Sequence, residues 1–339
     1  MAILITVIAF GIMVVLHELG HFVAAKSFGV QVHEFAVGMG PKLFSFGKGE
    51  TKYSLRLFPI GGYVKLEGEN ELEENDNPRS FSNLTPFKRI IVLVSGALMN
   101  LLLGLLIFTF INVKMGITPS VIKDIDLNSS YVTSESQLLK GDEIVKLDNT
   151  TIHTYEDVAL FMSRTDGDEI DVVVKRGNEK LKLPIKPYKT DSGYKLGIMF
   201  KSEKCNLFEA VEYAIYDTVH ITKSVLFAVG DLITGKVGLN ALSGPVEIVS
   251  VVDGVTSQKG DYVYLTVLML FAMITVNLGV FNLLPLPALD GGSIIFALYE
   301  LVTRKKVNPK IVGYISAGGF ILLMLLAVYV TIGDILSLI

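Results

Sequence analysis

The chain has 339 residues, of which 50% are hydrophobic and 19% are charged. This composition is too apolar for an ordinary soluble domain and too polar for a bundle of membrane helices alone, so we expect both membrane-embedded and aqueous parts. The formal net charge of -4 produces no field that would attract nucleic acid, and we expect no nucleic-acid partner. Because Cys205 is the only cysteine, any metal must be held by histidine and carboxylate side chains.

Four stretches approach the roughly 20 mostly apolar residues that a membrane-spanning helix needs. They are residues 1–28, 87–113, 262–300 and 311–338. The first stretch lacks the basic start of a cleaved signal peptide and carries ionisable residues where a cleavage site has small neutral ones, so a span is favoured over a signal peptide. The sequence therefore predicts a polytopic α-helical membrane protein with four transmembrane helices.

Basic residues near the ends of these spans predict their orientation, since lysine and arginine beside a span are retained in the cytoplasm. Lys26, Lys88 and Arg89 flank the connection between the first two spans, and Lys305 and Lys306 lie between the last two. Both connections are therefore expected to face the cytoplasm. Both chain termini and the long segment between the second and third spans are expected on the outside.

The first predicted span contains the sequence HELGH at residues 17–21. Ionisable side chains inside a membrane helix are costly, so their presence indicates function. Histidines four residues apart share one helix face and can converge on a single ion, while Glu18 lies next to them as a candidate catalytic base. The pattern is typical of zinc metalloproteases and predicts His17 and His21 as zinc ligands. Buried histidines that only stabilise the helix packing are the alternative.

A third zinc ligand is expected elsewhere in the chain, because a catalytic zinc site commonly has three protein ligands and one open position. Residues 282–292, with the sequence NLLPLPALDGG, place Asp290 in an apolar segment that two prolines and two glycines interrupt. Such backbone is tolerated at membrane depth only where protein or a water-filled cavity satisfies its polar groups. An Asp-Gly turn at the membrane exit is the alternative. Because the two-histidine site lacks a third ligand, we expect Asp290 to complete that site.

The long segment between the second and third spans has two different patterns. Short alternating runs at residues 169–175 and 180–183 predict half-buried strands. Apolar residues then recur every three and four positions over residues 207–232, which predicts an amphipathic helix on the outer membrane surface or, alternatively, a soluble core helix. His33, His153 and His220 have no partner at ligand spacing and are expected to be ordinary polar or packing residues.

With these two motifs in order, the chain resembles the site-2 protease family of intramembrane metalloproteases. In that family H-E-x-x-H on one span and N-x-x-P-x-P-x-L-D-G on another complete the zinc site. Further similarities, at residues 38–41, 53–68, 79–89 and 243–246 and at Asn100, point to the bacterial branch that includes the regulator-of-sigma-factor proteases and carries an extracytoplasmic PDZ domain. Residues 139–148, LKGDEIVKLD, resemble the PDZ signature itself. The departures from the family pattern, at Ala97, Glu247 and Ser293, affect no predicted zinc ligand or base.

The resemblance implies a membrane-associated β region after the first span, an α+β PDZ domain, and Asn277 and Asn282 as contacts to an unwound substrate strand. The predicted organisation is residues 1–28 as transmembrane helix 1 with H-E-x-x-H, 29–86 as a cytoplasmic-side loop with the β region, 87–113 as transmembrane helix 2, 117–190 as the PDZ domain, 203–236 as the amphipathic surface helix, 262–300 as the transmembrane helix 3 region with the LDG motif, and 311–338 as transmembrane helix 4.

The predicted function is that of an intramembrane zinc metalloendopeptidase, which hydrolyses peptide bonds in or near the transmembrane segment of membrane-anchored proteins. The expected cofactor is Zn2+, and the expected partners are a membrane-spanning protein or peptide substrate and the lipid bilayer. By resemblance, the enzyme belongs in the plasma or inner membrane and serves regulated intramembrane proteolysis or signal-peptide clearance. The substrate and the oligomeric state stay open. So does the PDZ domain's role, which is either peptide binding by strand addition or steric screening of the entrance.

Three other functions are compatible with parts of the sequence. A zinc protease whose site opens to water would cleave soluble peptides, but the H-E-x-x-H lies within an apolar span. A metal transporter would place ligands at several depths along a pathway, whereas the sequence offers one convergent set. A catalytically silent PDZ scaffold would have no need of Glu18.

Overall fold

The computed structural model of the protein describes residues 1–47, 49–69, 76–125, 138–191, 193–258 and 260–337. The chain divides into two compact units. The first unit is Met1–Gly104 together with Val225–Ile339, and the second is Leu105–Ser224. Within the segment predicted as a PDZ domain, residues 126–137 lie outside the described part of the chain.

Eight α-helices are present in the described residues. In chain order they are α1 (Ala2–Ser27), α2 (Pro86–Met115), α3 (Tyr155–Met162), α4 (Leu207–Ile233), α5 (Pro245–Thr256), α6 (Val263–Leu283), α7 (Asp290–Thr303) and α8 (Pro309–Ser337). Among the described residues, α1, α2, α6 and α8 are long and apolar enough to cross a membrane. The predicted number of long apolar helices is therefore confirmed.

The third predicted span, residues 262–300, comprises two helices instead of one continuous helix. Helix α6 ends at Leu283, and α7 begins at Asp290. Pro285 explains the break, because a proline disfavours helical backbone in the residue before it, and Leu284 is extended with φ -63° and ψ 146°. The break places Asp290 in the first turn of a new helix, where the helix dipole favours a negative side chain.

A long antiparallel hairpin of β1 (Val32–Phe46) and β2 (Lys52–Leu66) follows the first helix. Where Val32 pairs with Leu66, both side chains are buried in a core cluster with Ala25 of α1 and Val92 of α2. The opposite half of the hairpin exposes apolar side chains, and Phe44 is 71% exposed. The hairpin is thus anchored in the core of the first unit at one end and apolar on its surface at the other.

Helix α5 packs beside α1, α6 and α8 and was not predicted as a separate helix. Its first turn is capped from a distance by Asp334 near the end of α8. The Asp334 carboxylate accepts hydrogen bonds from the backbone N–H groups of Gly244, Val246 and Glu247, each at 3.1 Å. Asp334 is 6% exposed, so this helix start is satisfied inside the protein instead of by water.

The second unit is an α+β structure. Its strands are β3 (Asp124–Ile125), β4 (Glu143–Leu147), β5 (Thr150–Thr151), β6 (Ile170–Arg176), β7 (Glu179–Ile185), β8 (Tyr188–Thr190), β9 (Gly193–Lys195) and β10 (Ile198–Met199). Four of them form one antiparallel sheet in the order β5-β4-β6-β7, and β3 with β10 and β8 with β9 form two-stranded pairs. The alternating run at residues 169–175 is the strand β6, which buries every second side chain.

Helix α3 packs on the core of this four-stranded sheet. Val158 and Met162 of α3 join Ile144, Val172 and Val174 in one buried cluster. The helix begins at Tyr155, and the Thr154 hydroxyl caps it by accepting a hydrogen bond from the Asp157 N–H at 3.4 Å.

An ion pair between buried Asp142 and partly exposed Arg176 lies at the start of β4. Arg176 donates from Nε and Nη2 to the two carboxylate oxygens of Asp142, each at 2.7 Å, and Asp142 is 1% exposed. The guanidinium holds the pKa of Asp142 below its usual range. This pair ties the end of β6 to the turn that precedes β4.

Candidate metal centre

The two histidines and the aspartate predicted as zinc ligands meet at one point. The Nε2 atoms of His17 and His21 are 3.1 Å apart, and Asp290 Oδ2 lies 3.2 Å from the first and 3.3 Å from the second. In the part of the chain that the structure describes, they form the single group of three or more metal-binding side chains whose ligand atoms all lie within 4.8 Å of one another. The distant carboxylate therefore reaches the histidine pair.

The size and chemistry of this triangle fit a tetrahedral zinc ion. Ligands at about 2.0–2.1 Å from a tetrahedral ion are roughly 3.3–3.4 Å from one another, close to the three observed separations. Asp290 Oδ2 is buried and has no hydrogen-bond donor in the described structure. Lone pairs that face one another in a buried site repel unless a cation lies between them. Two imidazoles and one carboxylate are also a ligand set that zinc prefers.

The ring of His21 is oriented by the second helix. Its Nδ1 lies 2.8 Å from the carbonyl oxygen of Val92 on α2. Because a carbonyl can only accept, Nδ1 carries the proton, and in the neutral ring the lone pair is then on Nε2, which faces His17 and Asp290. This is the usual arrangement around a metal-binding histidine, whose second nitrogen donates to a neighbouring acceptor.

Helix α2 comes so close to α1 that only glycine fits at two facing positions. A Cβ atom added to Gly96 would lie 2.6 Å from Cε1 of His21 and 2.9 Å from Cε1 of His17. A Cβ atom added to Gly20 would lie 2.7 Å from the carbonyl carbon of Ser95. The backbone of α2 thus forms one wall of the metal centre and limits the rotation of both imidazole rings.

Glycines also fix the position of Asp290. A Cβ atom added to Gly291 would lie 2.6 Å from the carbonyl carbon of Leu283, and one added to Gly292 would lie 3.0 Å from that of Leu286. The start of α7 therefore folds back tightly on the end of α6 and the proline-containing loop. Gly319 of α8 also packs closely on this loop, because a Cβ atom added to it would lie 2.7 Å from the carbonyl oxygen of Pro287.

Glu18 is held by the β hairpin. Its Oε2 accepts a hydrogen bond from the backbone N–H of Val64 on β2 at 3.1 Å. A Cβ atom added to Gly62, two residues earlier, would lie 3.5 Å from Cγ of Glu18. The predicted base therefore lies between the metal-binding face of α1 and the strand β2.

Asn277 and Asn282, predicted as substrate contacts, lie on α6, the helix that leads to Asp290. Asn277 Oδ1 is buried without a hydrogen-bond partner in the described structure, and Asn282 is partly buried. Neither belongs to the ligand triangle, which consists of His17, His21 and Asp290. The structure thus places both amides on the helix before the metal centre.

A cavity of about 590 Å³ reaches Asp290. Its lining includes charged side chains, namely Glu69, Arg89, Glu300 and Lys306. Arg89 of α2 and Glu300 of α7 form an ion pair in its wall. A cavity of this size with charged side chains in its wall can carry water to a centre that is otherwise enclosed by apolar helices.

The remaining histidines have other surroundings. His33 Nε2 hydrogen-bonds Glu67 Oε2, the ring of His153 stacks on Tyr216 with centroids 4.3 Å apart, and His220 Nδ1 lies 3.7 Å from Asp157 Oδ1. None of the three belongs to a metal-binding group in the described residues.

Sequence reasoning missed Val64, Val92 and Gly96 as parts of this site. Val64 and Val92 contribute backbone groups, which leave no mark in side-chain patterns. Gly96 could have been found as a small residue in an apolar span, since small residues let membrane helices approach closely.

The chain is similar to known proteins over nearly its whole length. The sequence pattern of peptidase family M50 matches residues 5–326. A protein of Clostridium acetobutylicum, named as a candidate zinc metalloprotease, is 38% identical over 336 residues, covering 98% of this chain and 97% of the relative. A protein of Fusobacterium nucleatum with the same kind of name is 34% identical over 351 residues, covering 100% and 99%. Zinc metalloprotease RasP of Oceanobacillus iheyensis is 28% identical over 416 residues, covering 97% of each chain.

Proposed function

Because the chain belongs to peptidase family M50, we propose that His17, His21 and Asp290 hold the zinc of this intramembrane metalloprotease and that Glu18 is its catalytic base. The observation that carries the proposal is the largely buried triangle of ligand atoms, with sides of 3.1, 3.2 and 3.3 Å. It joins a histidine pair on a helix long enough to cross a membrane to a carboxylate more than 260 positions further along the chain.

The chain's own residues account for the proton transfers of peptide hydrolysis. When bound, zinc supplies Lewis-acid activation of water and of the scissile carbonyl, which is worth several kcal/mol in the transition state. Glu18 takes a proton from the attacking water and returns it to the leaving amine. The N–H of Val64 orients the Glu18 carboxylate for both transfers. The cavity that reaches Asp290 admits the water.

Metal removal and substrate type test this function together. Chelation of zinc is expected to abolish cleavage of a membrane-spanning peptide by the detergent-solubilised enzyme, and added Zn2+ is expected to restore it. A soluble peptide with the same scissile sequence is expected to react more slowly, because the ligand triangle lies among apolar helices. Chromatography of the products measures both rates. Equal rates would favour a protease whose site opens to water, and no cleavage of either peptide would favour a transporter or a scaffold.

The substrate must be unwound before it can react. A membrane helix satisfies its own backbone hydrogen bonds, and each group released in lipid costs several kcal/mol. The extended β2 strand beside Glu18 and the amides of Asn277 and Asn282 on α6 are the groups proposed to bind the released strand. The buried and unpaired Oδ1 of Asn277 supports this assignment.

Replacing Asn282 by leucine is expected to slow cleavage of a membrane substrate about tenfold, which corresponds to losing one hydrogen bond of roughly 1.4 kcal/mol. Zinc content should stay unchanged, because Asn282 lies outside the ligand triangle. Cleavage rates and zinc analysis of the same preparation measure the two effects. Parallel loss of zinc would show instead that Asn282 maintains the structure of the centre.

The second unit is proposed to contain a PDZ domain, as in the bacterial branch of the family. The four-stranded antiparallel sheet with α3 packed on its core supports this fold. Strand addition to a sheet edge is the peptide-binding mode open to such a domain, and steric screening is the other role. The basic residues Lys26, Lys88, Lys305 and Lys306 support an arrangement with this domain and both chain termini outside the cytoplasm. The biological role that fits is regulated intramembrane proteolysis or signal-peptide clearance.

A further inference from the structure

Asn100 of α2 faces the ring nitrogen of His17 that points away from the ligand triangle. Its side chain is fully buried, at 0% exposure, and its Nδ2 lies 3.4 Å from His17 Nδ1. The other end of the amide, Oδ1, is buried and has no hydrogen-bond partner in the described structure. Asn100 lies one helical turn beyond Gly96, on the wall that α2 forms beside the metal centre.

The protonation of His17 decides which end of this amide can face it. A neutral imidazole carries one proton, and a metal takes the lone pair of the other nitrogen. His17 Nε2 points at His21 and Asp290, so a metal-binding His17 must carry its proton on Nδ1. The N–H of Nδ1 would then meet the NH₂ group of Asn100, and two donors cannot bond. Rotating the amide by half a turn replaces NH₂ with the acceptor Oδ1 in the same space.

We propose that Asn100 is a positioning residue whose Oδ1 accepts the hydrogen bond of His17 Nδ1–H and thereby fixes the ring for zinc binding. The two imidazoles are nearly perpendicular, at 85°, so one acceptor cannot serve both. Val92 provides the acceptor for His21, and Asn100 provides it for His17. This inference rests on the zinc site proposed above and extends it to the groups that orient its ligands.

The surroundings of Asn100 hold it in place. Thr275 of α6 lies with its hydroxyl 3.4 Å from the Asn100 carbonyl oxygen, and a Cβ atom added to Gly279 would lie 3.3 Å from Asn100 Cβ. Helix α6 thus packs tightly against Asn100. A side chain restrained in this way can restrain the imidazole in turn, and acceptors that orient metal-binding histidines typically contribute about 10- to 100-fold to metal affinity.

The test is zinc affinity of the purified full-length protein, measured by competition with a chelator. Asn100→Leu keeps the size of the side chain and removes the acceptor, and we expect it to weaken zinc binding about 10- to 100-fold. Asn100→Asp keeps the acceptor and removes the NH₂ group, and we expect an affinity close to that of the native protein. Asn112→Leu, at another buried asparagine of α2 that bonds Asp217, is the matched control and should bind zinc normally.

Several results would overturn the proposal. Native zinc affinity in Asn100→Leu would show that His17 needs no acceptor there. Equal loss in Asn100→Asp and Asn100→Leu would show that the NH₂ group is the one required. If Asn100→Leu gives no cooperative thermal unfolding, Asn100→Asp decides alone, since retained affinity supports the acceptor role and lost affinity overturns it. His21→Ala in the same titration distinguishes failure of the Asn100 role from failure of the proposed zinc site. Unchanged zinc affinity in His21→Ala would overturn the zinc site itself.

Discussion

Glu18→Gln is expected to abolish hydrolysis of a membrane-spanning substrate while the protein keeps its zinc. Glutamine has the shape of glutamate, and its side-chain oxygen can still accept the N–H of Val64 on β2. It cannot take a proton from water at neutral pH. General base catalysis contributes about 10²–10⁴-fold, so the residual rate should fall near the limit of detection. Zinc stoichiometry and the cleavage rate of one preparation measure the two parts of this result.

Variants of the ligands provide the contrast to Glu18→Gln. His21→Ala and Asp290→Ala should lose zinc as well as activity, because each removes one corner of the triangle with sides of 3.1–3.3 Å. Helix content and thermal unfolding of each variant show whether the first unit, which contains all three ligands, still folds. Full activity in Glu18→Gln would falsify its role as the base. Loss of zinc in Glu18→Gln would instead make Glu18 a ligand.

The local part of the metal centre followed from the sequence alone. His17 and His21 are four residues apart on one helix, so helical geometry brings them together without any knowledge of the tertiary fold. Asp290 required two further arguments, namely the ligand that a two-histidine site lacks and the resemblance to a family motif. The break between α6 and α7 was indicated by Pro285 and Pro287, although the sequence did not fix where either helix would end.

The long-range part of the structure could not be predicted from one sequence. The start of α5 is capped by Asp334, some 90 positions later in the chain, and no residue pattern near Gly244 indicates this partner. The contact of Glu18 with Val64 likewise depends on how β2 packs beside α1, through a backbone group that every residue except proline provides. Helix periodicity gives the apolar faces of membrane helices but not the pairs of positions at which they touch.

The role of Asn100 could not be predicted from the sequence. The sequence marked it only through resemblance at the second span, with no role attached. Its chemistry emerges from two structural facts, the 3.4 Å approach to His17 and the unpaired Oδ1. The approach to His17 matters because a metal on Nε2 requires a proton on Nδ1, and the amide can present Oδ1 to that proton.

Gly96→Ala is expected to reduce both zinc affinity and cleavage, although the change adds only one methyl group and alters no proposed ligand or base. The new Cβ would lie 2.6 Å from Cε1 of His21 and 2.9 Å from Cε1 of His17, well inside van der Waals contact. Either α2 moves outward, which withdraws the Val92 carbonyl from His21, or the rings rotate away from Asp290. A misplacement of about 1 Å in a catalytic group typically costs about 100-fold in rate, and we expect a loss of that order.

Gly318→Ala is the matched control, because this glycine also lies in an apolar helix, α8, but a Cβ atom there would meet nothing within 4 Å. Alanine favours the helix more than glycine does by roughly 0.5–1 kcal/mol, so this variant should keep its zinc and its activity. Chelator competition and cleavage rates compare the two proteins directly. Native values in Gly96→Ala would contradict the close approach of α2 to the two imidazoles. Equal losses in both variants would mean that an alanine in either helix disturbs the membrane unit in general, and that the wall beside the histidines has no special role.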